Sequence, residues 1–346
     1  MHRGKRDPKG KSNLQYLKRK WLLAALIVVI LVSALLAFQY TRSKPSVETI
    51  TLGTSASLTS TLLMIAKEKK LFEKFSLKVD LKYFSSAGKG LNAMLNDQIS
   101  VSAVAETPIM FSGLKRDDFR VFATILSNSN DPKIVVRSDA VQNGPKSLTG
   151  KRIGTTKTGQ SAHFFLYLFL LRHDIPMDTV TVVHDPPSAI VEMLSSGEID
   201  AASLFEPYAT FASERLKENG RVLAEPGLYS KTFNLVAKTS FLNNHREAVE
   251  RLLRALIAAE IFCMGQPDQV EKIISKRLEV DGKLIRDYLK QSNFEVSLYP
   301  SLASTLKEEA QWAMRYGYAS RGSMPDYTKF LFVDALKALR PESVPF

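Results

Sequence analysis

Residues 189–208 read AIVEMLSSGEIDAASLFEPY, and this stretch decides the fold. AIVEMLSSG has helical spacing, with Gly197 placed as its cap. IDAASLF then reads as a strand. A helix that turns through glycine into a strand is the repeating unit of an open α/β sheet. Glu206 follows the strand at once, at the carboxyl end where such sheets bind ligands. It could meet a cationic ligand group, with Phe205 or Tyr208 lining a pocket, or be a solvated strand-end carboxylate.

The same alternation extends outward in both directions. Upstream, GKRIGTT (150–156) and TVTVVH (179–184) read as strands around SAHFFLYLFLLRHD (161–174), a strongly apolar helix that stops before Pro176. Further back, ETITLGT (48–54), LKVDLKYF (77–84), SVSAVA (100–105), RVFATIL (120–126) and KIVVR (133–137) read as strands. Helical patterns run through Leu62 to Leu71 and Leu91 to Leu95. The βαβαβ order predicts mostly parallel sheets with helices on both faces. Beyond FNLVAKTSFL (233–242) the chain reads as helical from Asn244 on, so those helices must pack against a sheet already built. Both halves run strand–loop–helix–strand, as two α/β lobes of one architecture would.

With 346 residues, 45% hydrophobic and 24% charged, the chain has the composition of a globular protein with more than one core. The net charge of +12 is concentrated at the start. Arg3, Lys5, Arg6, Lys9, Lys11, Lys18, Arg19 and Lys20 face only Asp7, whereas the body mixes both signs. No basic stripe interleaved with aromatics follows, so nucleic acid is not an expected partner. Trp21 to Phe38, WLLAALIVVILVSALLAF, carries no charge and is about long enough to cross a bilayer as a helix. The expectation is a basic cytoplasmic tail over 1–20, a transmembrane anchor over 21–39 and a linker over 40–47, with the body outside the cell membrane. A cleaved signal peptide ending at Ala34 is the alternative. Cys263, the single cysteine, lies in an apolar-periodic helix and reads as a small buried hydrophobe.

Two segments resemble anion-binding loops. Ser85-Ser86-Ala87-Gly88-Lys89-Gly90 leads from a strand into a helix and contains GxGxxA, with Glu106 eighteen residues after Gly88. It follows the second strand rather than the first, which weakens a dinucleotide reading. Thr155 to His163 repeats the geometry in the second unit, where free N–H groups at a helix start favour an oxyanion. Helix capping by Thr158 or Ser161 is the alternative there. Gly159-Gln160-Ser161-Ala162-His163 lacks the last glycine of a nucleophile elbow, so a serine hydrolase is not supported. The remaining histidines have no metal-ligand spacing, and no cofactor or metal is expected.

From about Thr49 to Arg340 the chain resembles the nitrate/sulfonate/taurine-type substrate-binding proteins of ABC transporters, a family that also includes binders of thiamine-pyrimidine-like compounds. Ser147-Leu148-Thr149-Gly150-Lys151-Arg152-Ile153-Gly154 resembles the family's dLkGKrIGv, and Leu194 to Ala201 resembles L.sGeiDA. Phe205-Glu206-Pro207 resembles the wEP that follows. In the first half, Leu71-Phe72 departs from the usual Gly before Phe, and Asn96 to Ser100 replaces GeiD. The resemblance implies a two-lobed, type II periplasmic-binding-protein-like fold, with lobe 1 at 48–133 plus 238–346 and lobe 2 at 134–237. Crossovers would fall near Lys133–Arg137 and Asn234–Lys238. Ligand contacts would come from Ser55, Ser57, Ser85, Ser86 and Thr107, from Ser127 and Asn128, and across the cleft from Gln160, Ser161 and Glu206.

On that reading the protein is a monomer that captures a small polar organic ligand, sulfonate-, taurine- or pyrimidine-like, and delivers it to an ABC permease and its ATPase. The ligand is expected to be zwitterionic or hydrogen-bond-donating, because Glu206 would repel a bare anion. Two other functions remain open at this point: the sensing ectodomain of a signalling system, and an enzyme on the same scaffold.

Overall fold

The structure is a computed structural model that describes residues 20–21, 25–34, 47–320 and 322–345. The chain divides into two compact units, Met1–Val47 and Glu48–Phe346. In the first, residues 20–21 and 25–34 are helical with exposed side chains. Most of the expected tail, anchor and linker lies outside the described residues. Among the described residues, no helix is long and apolar enough to cross a membrane.

The second unit holds two sheets. Strands β1 (Glu48–Ser55), β2 (Leu77–Phe84), β3 (Val101–Ala105) and β4 (Phe119–Asn128) belong to the first; β5 (Lys133–Arg137), β6 (Arg152–Thr155), β7 (Thr181–His184), β8 (Ala201–Leu204) and β9 (Gly220–Leu223) form the second. The chain then returns to the first sheet with β10 (Lys231–Lys238) and β11 (Ser292–Asn293). The six-stranded order is β11-β4-β10-β3-β1-β2 and the five-stranded order is β7-β6-β8-β5-β9.

The expectation of mostly parallel sheets is corrected here, because both sheets are mixed. Strands β1, β2 and β3 are mutually parallel, but β10 runs antiparallel to β3 and β4, and β11 antiparallel to β4. In the second sheet β6 pairs in parallel with β7 and β8, while β5 is antiparallel to both β8 and β9. The cause is the crossing chain. A strand that arrives from the other sheet starts at the edge where the parallel strands end, so it must run back against them. The expected crossovers at 133–137 and 234–238 fall inside β5 and β10, and the segments between the sheets are residues 129–132 and 224–230.

Helices follow from the apolar periodicity. They are α1 (Thr61–Glu68), α2 (Leu71–Lys74), α3 (Ala87–Leu95), α4 (Glu106–Gly113), α5 (Ser161–Arg172), α6 (Pro187–Ser196) and α7 (Tyr208–Leu216). After β10 come α8 (Thr239–Asn244), α9 (Arg246–Gly265), α10 (Pro267–Leu278), α11 (Gly282–Gln291), α12 (Ser301–Arg315) and α13 (Asp334–Leu339). Gly197 caps α6 at φ +83°, as the sequence indicates. Helix α3 begins already at Ala87, so Gly88 and Gly90 lie within it instead of in a loop. A Cβ at Gly90 would come within 3.5 Å of Ser102, Phe84 and Gly53, so this glycine lets the helix lie close on the sheet. Cys263 is buried in α9, and burial pushes its thiol up to about 12, which makes it inert at neutral pH.

Candidate functional site

Topology brings the carboxyl ends of β1, β2 and β3 to one edge of the six-stranded sheet. Ser55 and Ser57, Ser85 and Ser86, and Glu106 and Thr107 stand there, at the starts of the following helices. The antiparallel pairing of β4 with β10 carries Ser127 and Asn128 to the same edge, opposite Thr232 and Lys231. In the second sheet β6 and β8 end at Thr155 and Leu204, which puts Gln160, Ser161 and Glu206 on its carboxyl edge. Strand β5 begins at that edge, with Lys133 opposite Leu204. The two crossing segments thus join the two carboxyl edges, and every residue proposed from the sequence lies at one of them.

The side chains do not converge on one pocket. Ser57 Oγ lies 3.0 Å from Ser55 Oγ and 2.8 Å from Thr59 Oγ1, a local hydroxyl chain. Ser86 caps α3, accepting from Lys89 N at 3.4 Å. Asn128 Nδ2 donates to Ser292 Oγ at 2.9 Å. Gln160 occupies the N-cap of α5 without a side-chain capping bond, so neither Thr158 nor Ser161 takes that role. Glu206 is engaged on both oxygens. Its Oε1 receives Lys133 Nζ at 2.7 Å and its Oε2 receives Thr210 N at 3.1 Å. Asn128 and Glu206 do line one cavity of about 190 Å³, beside α11.

Beside the crossings, Asp131 pairs with Lys231, and Asp131 Oδ1 also accepts from Glu206 N at 3.0 Å. This buried cluster ties the first crossing segment and the start of β10 to the end of β8.

Partnerless polar atoms gather elsewhere, where α5 meets α4 and α12. His163 is fully buried with both ring nitrogens unbonded. Its ring packs edge-on against Trp312 at 5.1 Å, Tyr318 at 4.8 Å and His184 at 4.7 Å. Burial, with His184 adding to it, pushes the imidazole down to about 3, so it is neutral at physiological pH. Trp312 also touches Phe111 and Phe164, and its Nε1 has no acceptor. A groove of about 670 Å³ between α5 and α12 opens over the same indole.

Under this aromatic layer are two fully buried carboxyls, Glu106 at the start of α4 and Glu309 on α12. Thr107 Oγ1 donates to Glu309 Oε1 at 2.7 Å, and Tyr229 OH approaches the same oxygen at 3.5 Å. Thr232 donates to Glu106 Oε2 through both N and Oγ1 at 2.8 Å. Behind it, Asn234 Nδ2 donates to Thr232 Oγ1 at 2.9 Å and Thr124 Oγ1 donates to Asn234 Oδ1 at 2.7 Å. This donor chain points at Glu106. Even so, Glu106 Oε1 and Glu309 Oε2 remain without partners.

Burial pushes Glu106 up to about 7, against the pull of Thr232 and the Lys231 ammonium. Burial and then the Glu106 charge push Glu309 well above the carboxylate range. The folded state therefore holds protons that the unfolded chain has released, so stability falls as pH rises from about 4.5 through about 7. His163 acts on the acid side. The unfolded chain takes up its proton below about 6.5, so stability is lost as pH falls from there towards 3. Glu309→Gln should flatten the neutral-side loss, with urea midpoints above wild type at pH 8 and converging with it by pH 5. Parallel curves for the two proteins would mean that Glu309 is ionised without cost.

Sequence reading passed over Glu309, Trp312 and His163 as site residues. A signal was present for Glu309: it falls seven residues after Leu302 and three after Leu306, on the apolar stripe of its helix.

The NMT1-like family model matches residues 43–278. An aliphatic sulfonates-binding protein of Bacillus subtilis (strain 168) is 26% identical over 281 residues, covering 79% of this chain and 83% of that protein. The taurine-binding periplasmic protein of Escherichia coli (strain K12) is 24% identical over 195 residues, covering 55% and 59% respectively. The alkanesulfonate-binding protein SsuA of Xanthomonas axonopodis pv. citri, solved with MOPS bound, matches with a TM-score of 0.70 at 16% identity, over 84% of this chain and 100% of that one. The fold is therefore a periplasmic-binding-protein-like α/β fold with two sheets.

Proposed function

The chain belongs to the NMT1-like family, and from that premise we propose that it is an extracytoplasmic solute-binding protein serving an ABC importer. It takes up a small organic oxyanion, sulfonate- or taurine-like, between the two sheets and acts by binding, without catalysis. The observation that carries this reading is the pairing of two carboxyl edges across two short crossings, with helix starts presented from both sides. The lobes divide at those crossings: 48–128 plus 231–345 form one, and 133–223 the other. Closure about residues 129–132 and 224–230 would bring Ser55, Ser57, Ser85, Ser86, Thr107 and Ser127 towards Gln160 and Ser161. Glu206 and Asn128 then belong to the hinge side of the cleft, where Lys133 balances the carboxylate.

The uncharged run Trp21–Phe38 and the basic residues before it support a single-pass anchor in the cell membrane, which would hold a monomer beside its permease. One experiment tests both parts. Protein recovered from salt-washed membranes should show a raised thermal transition with alkanesulfonates, taurine or a pyrimidine, and less with nitrate. Recovery in the soluble fraction would remove the anchor; no shift with any of these compounds would remove the binding role.

A further inference from the structure

We propose that the ring contact between α5 and the α12 region is an acid-released clasp: a proton taken up by His163 parts the two lobes and lets the solute go. The proposal rests on the two-lobed solute-binding reading above and adds what releases the closed state. His163 stands in the first turn of α5, within the lobe 133–223, and is fully buried. Trp312 on α12 and Tyr318 just after it face its ring from the other lobe. His184, at the end of β7, faces it from its own lobe. Phe164 against Trp312 and Tyr167 against Tyr316, both at 5.2 Å, continue the same contact along α5. The lobes thus meet through rings, with an ionisable one among them.

A neutral imidazole suits this place and an imidazolium does not. Neither ring nitrogen is hydrogen-bonded, so a second N–H would find no acceptor. Burial holds the group down at about 3, with His184 adding repulsion. Ring faces attract a cation, but far less than the water it gives up. The nearby acids supply no counter-charge. Glu106 and Glu309, under the ring layer, are kept protonated by burial below about pH 7. They are bonded from within their own lobe, by Thr232 and Thr107. Burial also raises Tyr318, which stays a neutral phenol.

Lobe separation takes Trp312 and Tyr318 away and returns His163 to water, where its ordinary value is 6.5. Between 6.5 and about 3 the open form binds a proton that the closed form refuses. Closure is therefore unpenalised above this window and weakens as pH falls into it, by up to about tenfold per unit. Glu106 and Glu309 carry the opposite sign: were opening to wet them, acid would tighten closure. The direction of the effect identifies the group.

The test uses the full-length protein with Trp21→Phe, which leaves Trp312 as the single tryptophan. Its indole is 2% exposed at the lobe contact, so its emission maximum reads their separation. From pH 7.5 to 5 the maximum should move to longer wavelength while far-ultraviolet circular dichroism stays unchanged. Adding His163→Phe or His163→Gln should abolish the move. Calorimetry at the same two pH values uses taurine and ethanesulfonate, neither of which changes charge in that range. Binding should be roughly 10–30-fold weaker in acid, and change by less than about threefold in the His163 variants. An emission maximum that stays put, moves equally in the variants, or moves only as circular dichroism is lost would overturn the clasp. Tighter binding in acid would do the same. Failure of both probes to bind at pH 7.5 would overturn the solute-binding reading instead, with the emission still deciding the clasp. The emission of the parent protein needs no His163 variant, so a variant that fails to fold does not remove the test.

Discussion

Replacing Asp131 with alanine is expected to cost about 3–5 kcal/mol of folding stability, the range seen when one member of a buried ion pair is removed. Asp131 stands in the first crossing and Lys231 at the end of the second, and their side chains are 1% and 4% exposed. Truncation leaves the Lys231 ammonium buried without the carboxylate it bonds, and leaves Glu206 N–H without its acceptor. The loss comes from the stranded charge more than from the bond. A double variant, Asp131→Ala with Lys231→Met, should therefore recover part of it, because an apolar chain of similar length needs no counter-ion. Urea unfolding followed by far-ultraviolet circular dichroism measures both. A loss below about 1 kcal/mol for Asp131→Ala would mean that the pair behaves as a solvated surface bridge.

Trp312→Ala should cost about as much, roughly 3–5 kcal/mol, through cavity formation. The indole is 2% exposed and is enclosed by rings from α4, α5 and the segment after α12. No small rearrangement fills that volume, since its neighbours are themselves packed rings. Trp312→Phe keeps most of the contacts and should lose less than half as much. Denaturant midpoints at constant slope decide the matter: equal destabilisation by alanine and phenylalanine would mean that the cost does not scale with the volume removed.

Much of the scaffold could be read from residue order. Period-two runs such as LKVDLKYF and apolar helices such as SAHFFLYLFLL carry their own signal, because one face or both must be buried. Strand direction carries no such signal. FNLVAK has the same pattern whether it runs with β3 or against it, so mixed sheets were legible only from the crossing geometry. The edge residues were placed correctly at strand ends, yet their side-chain partners were not foreseeable. Lys133 reaches Glu206 from 73 positions away, and Thr107 reaches Glu309 from 202. Glu308-Glu309 on a helix reads as a solvated face until the apolar stripe beside it is counted. Glu106 was noticed for its spacing from Gly88, although its burial depends on β10 arriving much later in the chain.

That late arrival also bears on how the protein is made. The five-stranded sheet comes from one uninterrupted stretch, 133–223, whereas the six-stranded sheet needs β10 and β11 from beyond it. A chain emerging from its amino end can therefore pair every strand of the five-stranded sheet while the six-stranded one is still unfinished. During that interval β3, paired with β1 on one side, presents a bare apolar edge on the other until Lys231–Lys238 docks. Such an edge is a template for the wrong neighbour. Pausing or truncation between residues 223 and 238 is therefore the stage of synthesis at which the nascent chain is most open to aggregation and most dependent on a chaperone.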